Sequence, residues 1–303
     1  MPCYRPILGY RTDFVNPETG KRGITFSRNS QAFTDKKILV PCGKCLGCLN
    51  KKTNEWALRC THEAQFHEEN CFITLTYDDD HLPEDGGLHH KHFQDFMKRL
   101  RRARPDVKIK YFMCGEYGGL NERPHFHAII FGTTFHDMRL FSTAGNSRNY
   151  ISNELSSLWP FGFHTIGNVH YGTARYTAKY SMKRMEDFGI DYGNRRPEYR
   201  KMSQGIGASY AKKHSAQLAR TDSIILNGHR NPVPRYYEKF IDEEKLQKMK
   251  DNRAKYMLVS NYRLKSRLKE LNRTHSENLR ISENNALAKA GLYEKGNYRP
   301  NRI

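Results

Sequence analysis

The pentapeptide Pro124-His125-Phe126-His127-Ala128 opens a run, His125 to Phe131, whose residues suit a β-strand, and Lys108 to Gly115 is a second such run. Between them, Glu116 to Pro124 holds Gly118-Gly119 and a proline, so the two runs are expected to close as a β-hairpin. Side chains alternate along a strand, which puts His125 and His127 on one face. Glu116 ends the first run and His125, nine positions on, begins the second, so the turn brings them together at the hairpin mouth. One carboxylate and two imidazoles make a metal-ligand set. It suits Mn²⁺ better than Mg²⁺, and both become suitable where a substrate phosphate adds oxygen ligands. A bare His-x-His reads more readily as two surface histidines. Glu116 across the turn is what favours the metal.

The rest of the chain supplies layers for that hairpin. Trp56, Ala57, Cys60, Ala64 and Phe66 form a rough helical stripe over Thr53 to His67. Cys71 to Tyr77 is β-branched and aromatic and reads as a strand, ended by Asp78-Asp79-Asp80, a solvated turn rather than metal ligands. His89 to Arg104 is an amphipathic helix with Phe93, Phe96, Met97 and Leu100 inward. Phe161 to Val169 reads as a further strand and Thr173 to Met185 as a helix. This order predicts an α+β fold: an antiparallel central sheet with flanking helices. Residues 1 to about 50 are polar and turn-rich. Residues 237–303 carry both charge signs at helical spacing without heptads, so a helical C-terminal extension is expected rather than a long coiled coil.

On the last of these helices Tyr176, Lys179, Tyr180 and Lys183 share a stripe. A phenol, with a pKa of about 10, is a poor nucleophile near neutrality. A metal on the scissile phosphate and a nearby lysine remedy that. The bland alternative is a core tyrosine pair with lysines snorkelling outward. The phosphate donor follows from charge. Lys and Arg total 51 against 32 acidic residues, a net charge of +19, which favours polyanions through counterion release. Among 18 Tyr and 16 Phe there are candidate surfaces for base stacking. No run approaches the ~18 apolar residues of a membrane span and no signal peptide is visible, so a soluble intracellular protein with no membrane partner is expected.

Seven cysteines, an odd number and unevenly spaced, do not form a secreted disulfide framework. Cys42-x-x-Cys45-x-x-Cys48 is compact enough to grip Zn²⁺, with Cys3 or a histidine as fourth ligand, and would staple a region poor in core residues. Free thiols in a reducing cytoplasm are the other reading.

Three segments in order, Phe72-Ile73-Thr74-Leu75-Thr76-Tyr77, Arg123-Pro124-His125-Phe126-His127 and Tyr176-Thr177-Ala178-Lys179-Tyr180, resemble the three motifs of HUH rolling-circle replication initiators. Pro41 to Cys48, Asp78 to Pro83, Cys114 to Gly118, Leu158 to Phe163 and Met202 to Gly207 look like segments of the replication-initiation proteins of gokushovirus-type microviruses. The resemblance covers roughly residues 1 to 210.

It implies a ferredoxin/RRM-like sheet with the tyrosine helix alongside. Glu116, His125 and His127 would hold a catalytic Mg²⁺ or Mn²⁺. Tyr176 would be the nucleophile, Lys179 its lysine and Tyr180 the second nucleophile of the two-tyrosine subclass. The implied activity is nicking and rejoining of single-stranded phage-origin DNA through a 5′-phosphotyrosine, in the cytoplasm of a bacterial host. The expected division is a cysteine-containing region over 1–52, an endonuclease domain over 53–210 and a basic helical extension over 211–303. With no Gly-x-x-x-x-Gly-Lys-Ser/Thr anywhere, a host helicase and polymerase are the expected partners. Two other classes compete: a non-catalytic nucleic-acid-binding protein with structural zinc, and a histidine-based phosphohydrolase. The latter is disfavoured because Ile129 replaces a third alternating histidine.

Overall fold

The structure, a computed structural model, describes residues 3–18, 20, 22–27, 33–118, 122–145, 147–183 and 192–292, without the side chains of 33–35, 144, 147, 180–183 and 290–292. It divides into two compact units, 52–258 and the pair of segments 1–51 and 259–303.

The larger unit holds a seven-stranded antiparallel sheet. Its strands are β4 (Asn70–Tyr77), β5 (Lys110–Tyr117), β6 (Pro124–Phe131), β7 (Arg139–Ala144), β8 (Ser147–Ile151), β9 (Gly162–Gly167) and β10 (Tyr199–Met202), in the order β10-β5-β6-β4-β9-β8-β7. The expected α+β class with an antiparallel central sheet is what the chain adopts. Strict alternation makes it two-faced. On one face Ile73 and Leu75 of β4, with Phe126, Ala128 and Ile130 of β6, meet Phe93, Phe96, Met97 and Leu100 of helix α2 (His90–Ala103). Burying each of these phenylalanines is worth roughly 2–3 kcal/mol. On the other face Phe112, Ile129 and Phe131 meet Ala57 and Cys60 of α1 (Leu46–Ala64) and Ala174 and Ala178 of α4 (Tyr171–Lys183). The two alanines have almost no side chain to hold α4 off, so it packs directly on β5 and β6. Short α3 (Asn153–Leu158) is capped by Ser152, whose hydroxyl accepts from the N–H of Leu155.

A second core joins Leu58 to α5 (Ala208–Lys213), α6 (Ser215–Thr221), the hairpin β11 (Ile224–Leu226) and β12 (His229–Asn231), a 3₁₀ turn (Arg235–Phe240) and Met249 near the start of α7 (Glu243–Glu270). In the smaller unit, β1 (Ile7–Val15) pairs with β2 (Arg22–Thr25) and β3 (Phe33–Val40) as a three-stranded sheet. Helix α8 (His275–Leu292) is tied to the N-terminal segment by Arg5 Nε donating to Glu283 Oε2 at 2.9 Å.

Three details depart from the sequence reading. Helix α1 starts at Leu46, inside the cysteine cluster, and ends at Ala64. The hairpin strands extend further into the expected loop, so Glu116 and Pro124 lie within β5 and β6. The polar N-terminal region forms strands, which local composition does not announce.

Candidate metal and tyrosine site

Register places the site. Across β5 and β6, Glu116 faces His125 and Cys114 faces His127; across β4 and β6, Thr76 faces His125 and Thr74 faces His127. Both imidazoles therefore have a threonine on one side and strand β5 on the other. His127 Nδ1 lies 2.9 Å from Thr74 Oγ1, and His125 Nδ1 lies 2.8 Å from Thr76 Oγ1. His127 Nε2 lies 2.7 Å from Glu116 Oε1. An ionised carboxylate only accepts, so Nε2 donates to it, and in the neutral ring Nδ1 accepts from the Thr74 hydroxyl. A hydroxyl can equally accept, so the same threonine would serve a ring whose Nε2 is a ligand. Hydrogen bonding of the remote nitrogen is the usual means of orienting a metal-binding histidine.

Glu116 is 4% exposed, and its Oε2 is buried with no hydrogen-bond partner. A buried carboxylate oxygen left this way is costly unless a cation completes its shell. His125 Nε2 faces Gly118, where a Cβ would stand 2.8 Å from it, so a glycine is what leaves room beside that nitrogen. Burial first, and then His127 and Arg123, push the pKa of His125 down to about 4, which keeps its ring neutral and its lone pair available. These features fit a divalent cation. As they stand the three residues do not form a closed ligand cluster: Glu116 and His127 touch, and His125 leans aside to Thr76.

Tyr176, on α4, is 41% exposed and stands perpendicular to His127, ring centroids 5.3 Å apart, and to Phe72 at 6.3 Å. Phe72 in turn lies parallel to His127 at 5.9 Å. Lys179 is exposed one turn on. Tyr180 belongs to α4, but its side chain lies outside the described residues. Asp78 accepts from His81 and Asp79 pairs with Arg123, so this acidic run is a hydrogen-bonded turn. Sequence reading missed Thr74, Thr76 and Gly118. Alternation of the two threonines with Ile73 and Leu75 was the signal that they share the histidine face.

In the smaller unit, one ligand atom from each of Cys3, Cys42, Cys45 and Cys48 lies within 4.8 Å of the others, the one such cluster among the described residues, and it could hold a metal ion. Cys3 Sγ is 3.6 Å from Cys42 Sγ and 3.8 Å from Cys45 Sγ. The backbone N–H groups of Tyr4, Cys42 and Cys45 each donate to a cluster sulfur at 3.3 Å. For Cys45, burial works upward, but the N–H donors of Cys48 and Tyr4 and the neighbouring thiols outweigh it and bring the thiol down to about 6. Burial pushes Cys48 up to about 12. Burial pushes Cys3 up as well, so it is Cys45 that is displaced toward the thiolate, the form a metal binds. No helix among the described residues is long and apolar enough to cross a membrane.

A family model described as Replication-associated protein ORF2/G2P matches residues 70–185, the stretch that runs from β4 through the histidine strand to the end of α4. Replication-associated protein ORF2 of Spiroplasma virus 4 is 32% identical over 80% of this chain and 81% of its own length. Replication-associated protein VP4 of Bdellovibrio phage phiMH2K is 32% identical over 86% and 83%. Replication-associated protein ORF4 of Chlamydia phage 1 is 36% identical over 66% of this chain and 52% of its own. No solved structure matches. With four fifths of two such relatives spanned at this identity, the chain belongs to the family of replication-associated proteins of gokushovirus-type microviruses.

Proposed function

We propose that this protein initiates rolling-circle replication by nicking, and later rejoining, one strand of phage-origin DNA through a covalent bond to tyrosine. The observation that carries the reading is the position of Tyr176: a half-exposed phenol set edge-on against His127, whose Nε2 holds a buried and half-satisfied Glu116. Glu116, His125 and His127 would hold a divalent ion, Mg²⁺ or Mn²⁺, which when bound polarises the scissile phosphate.

The chain's own residues do the rest. Thr74 and Thr76 fix the two imidazoles. Tyr176 presents its oxygen to phosphorus and gives its proton to solvent. The bond from phosphorus to the 3′ oxygen breaks, that oxygen takes a proton from water, and the strand is left with a free 3′-OH and a 5′ phosphate esterified to Tyr176. Lys179, exposed on the same helix, offsets charge on the phosphate or phenolate. Tyr180, one turn beyond Tyr176, would cut the regenerated origin while Tyr176 still holds the first end. The four cysteines would hold a structural Zn²⁺: sulfur separations of 3.6 and 3.8 Å match the edge, about 3.8 Å, of a tetrahedron with Zn–S near 2.3 Å. Lacking a helicase motif, the protein would work with a host helicase and polymerase in the host cytoplasm.

Covalent capture tests this. Wild-type protein incubated with single-stranded origin DNA and Mn²⁺, then denatured, should yield a protein–DNA adduct that Tyr176→Phe abolishes. DNA binding without any adduct favours the non-catalytic reading.

A further inference from the structure

The segment Leu158 to Phe163 has no part in the chemistry above, yet it is anchored to the site. Trp159 Nε1 donates to the carbonyl of Thr76 at 3.2 Å, and the N–H of Asp78 donates to the carbonyl of Phe161 at 3.0 Å. Between the two phenylalanines Gly162 has φ +137°, and a Cβ there would collide with the backbone of Asp78. That glycine separates the fates of its neighbours. Phe161 turns into the α2 side, parallel to His92 with centroids 4.4 Å apart and edge-on to Trp159 at 5.1 Å. Phe163 emerges on the opposite face and is 67% exposed.

That opposite face is the histidine face. Phe163 pairs with Thr76, Thr76 with His125, and His125 with Glu116, one lateral row across β9, β4, β6 and β5. Two strand spacings put Phe163 about 10 Å from His125. That is about three nucleotides of a single strand, counted from ~3.4 Å per stacked nucleotide. An exposed phenylalanine held on a rigid strand by a glycine that tolerates no substitution is a surface built for an apolar, planar partner. The chain's net charge of +19 selects which planar partner. Arg175 and Lys179, both exposed on α4, offer cations to a phosphate backbone on the same side of the sheet.

We propose that Phe163 is a stacking platform for a nucleobase of single-stranded DNA beside the scissile phosphate. This deepens, and rests on, the nicking reading above. The test uses the full chain with oligodeoxythymidylate and with an abasic strand of equal length. Phe163→Ala should weaken oligodeoxythymidylate binding about 5- to 150-fold, Phe163→Tyr should restore it, and the abasic strand should bind wild type and Phe163→Ala alike. The added indole fluorescence of Phe163→Trp should be quenched by oligodeoxythymidylate and not by the abasic strand. Unchanged binding by Phe163→Ala overturns the proposal. So does an equal loss on the abasic strand, or a self-association that Phe163→Ala abolishes while DNA affinity is kept. Binding needs no cleavage, so Phe163-dependent binding of oligodeoxythymidylate, together with no adduct on single-stranded origin DNA and Mn²⁺, would sink the nicking reading and leave a stacking platform for single-stranded DNA standing.

Discussion

Glu116 Oε1 lies 2.7 Å from His127 Nε2, while Glu116 Oε2 is buried without a hydrogen-bond partner. On the proposed reading these are two of the three ligands, with His125, of a divalent cation. Glu116→Gln keeps the shape and an acceptor for His127 but removes the anion. Mn²⁺ binding, followed by calorimetry, should weaken at least ~100-fold, and adduct yield should fall with it. The thermal midpoint should hold or rise, because a buried carboxyl group with one oxygen left without a partner gives way to a neutral amide. Wild-type Mn²⁺ affinity in this variant would remove Glu116 from the metal site.

Thr76→Val takes away the hydroxyl at 2.8 Å from His125 Nδ1 and keeps the β-branched shape that suits β4. On the proposed reading His125 would be the third ligand, and its described side-chain partner is the Thr76 hydroxyl, on which its ring orientation would depend. A loss of about 10- to 100-fold in Mn²⁺ affinity is expected, recovered largely in Thr76→Ser. If valine and serine behave alike, the hydroxyl does not orient the ring.

Much of this was legible in the sequence. The β5–β6 hairpin follows from alternation and a Gly-Gly turn. The packing of α2 follows from Phe93, Phe96, Met97 and Leu100 at helical spacing. Helix α4 follows from an uninterrupted run whose small residues, Ala174 and Ala178, mark the face against the sheet. Strands β7, β8 and β10 were not legible: Arg139–Ala144, Ser147–Ile151 and Tyr199–Met202 are short, polar and on the sheet's margin, where pairing to a neighbour outweighs local propensity. The same holds for β1 to β3. Thr74 and Thr76 were missed because threonine in a strand is ordinary, and only the register beside two histidines gives it a role.

The cysteine quartet should bind one Zn²⁺ per chain when the protein is prepared under reducing conditions, measured by atomic emission. Cys42→Ser should lower the zinc content and open residues 1–51 to limited proteolysis, because a metal staple there would supply stability that Tyr4, Cys45 and Cys48 alone do not. A fully reduced, protease-resistant and zinc-free wild type would show that the thiols are simply buried.

Gly207 has φ +77°, its N–H donates to Glu63 Oε2 at 2.7 Å, and a Cβ there would stand 2.6 Å from the Tyr237 hydroxyl. Glu63 also accepts from Lys110 Nζ at 2.6 Å, so this glycine helps seat a buried carboxylate between α1 and β5. In urea unfolding, Gly207→Ala should destabilise the protein by more than the ~1–3 kcal/mol of strain at positive φ, because the added Cβ also collides with the Tyr237 hydroxyl. Gly228→Ala makes a control: φ is +74° but nothing lies within 4 Å, so only the backbone part of the penalty should appear.

His62 links acidity to folding. It is 2% exposed, its Nδ1 lies 2.8 Å from the Tyr237 hydroxyl and its ring lies flat on Tyr210 at 3.6 Å. Burial, and then His214, bring its pKa down to about 4, from about 6.5 in an unfolded chain. Between those values the unfolded chain binds a proton that the folded one refuses, so stability rises with pH across the window and is lost as pH falls from about 6.5 to about 4. His125 is displaced the same way, to about 4, and adds to the slope. Urea midpoints taken from pH 7.5 to 4.5 should fall steadily below pH 6.5, with His62 responsible for up to ~3 kcal/mol. His62→Gln retains an acceptor for Tyr237 and cannot titrate, so it should be less stable at pH 7.5 but lose less on acidification. A pH slope identical to wild type would show that His62 takes up its proton in the folded protein at the same pH as in the unfolded chain.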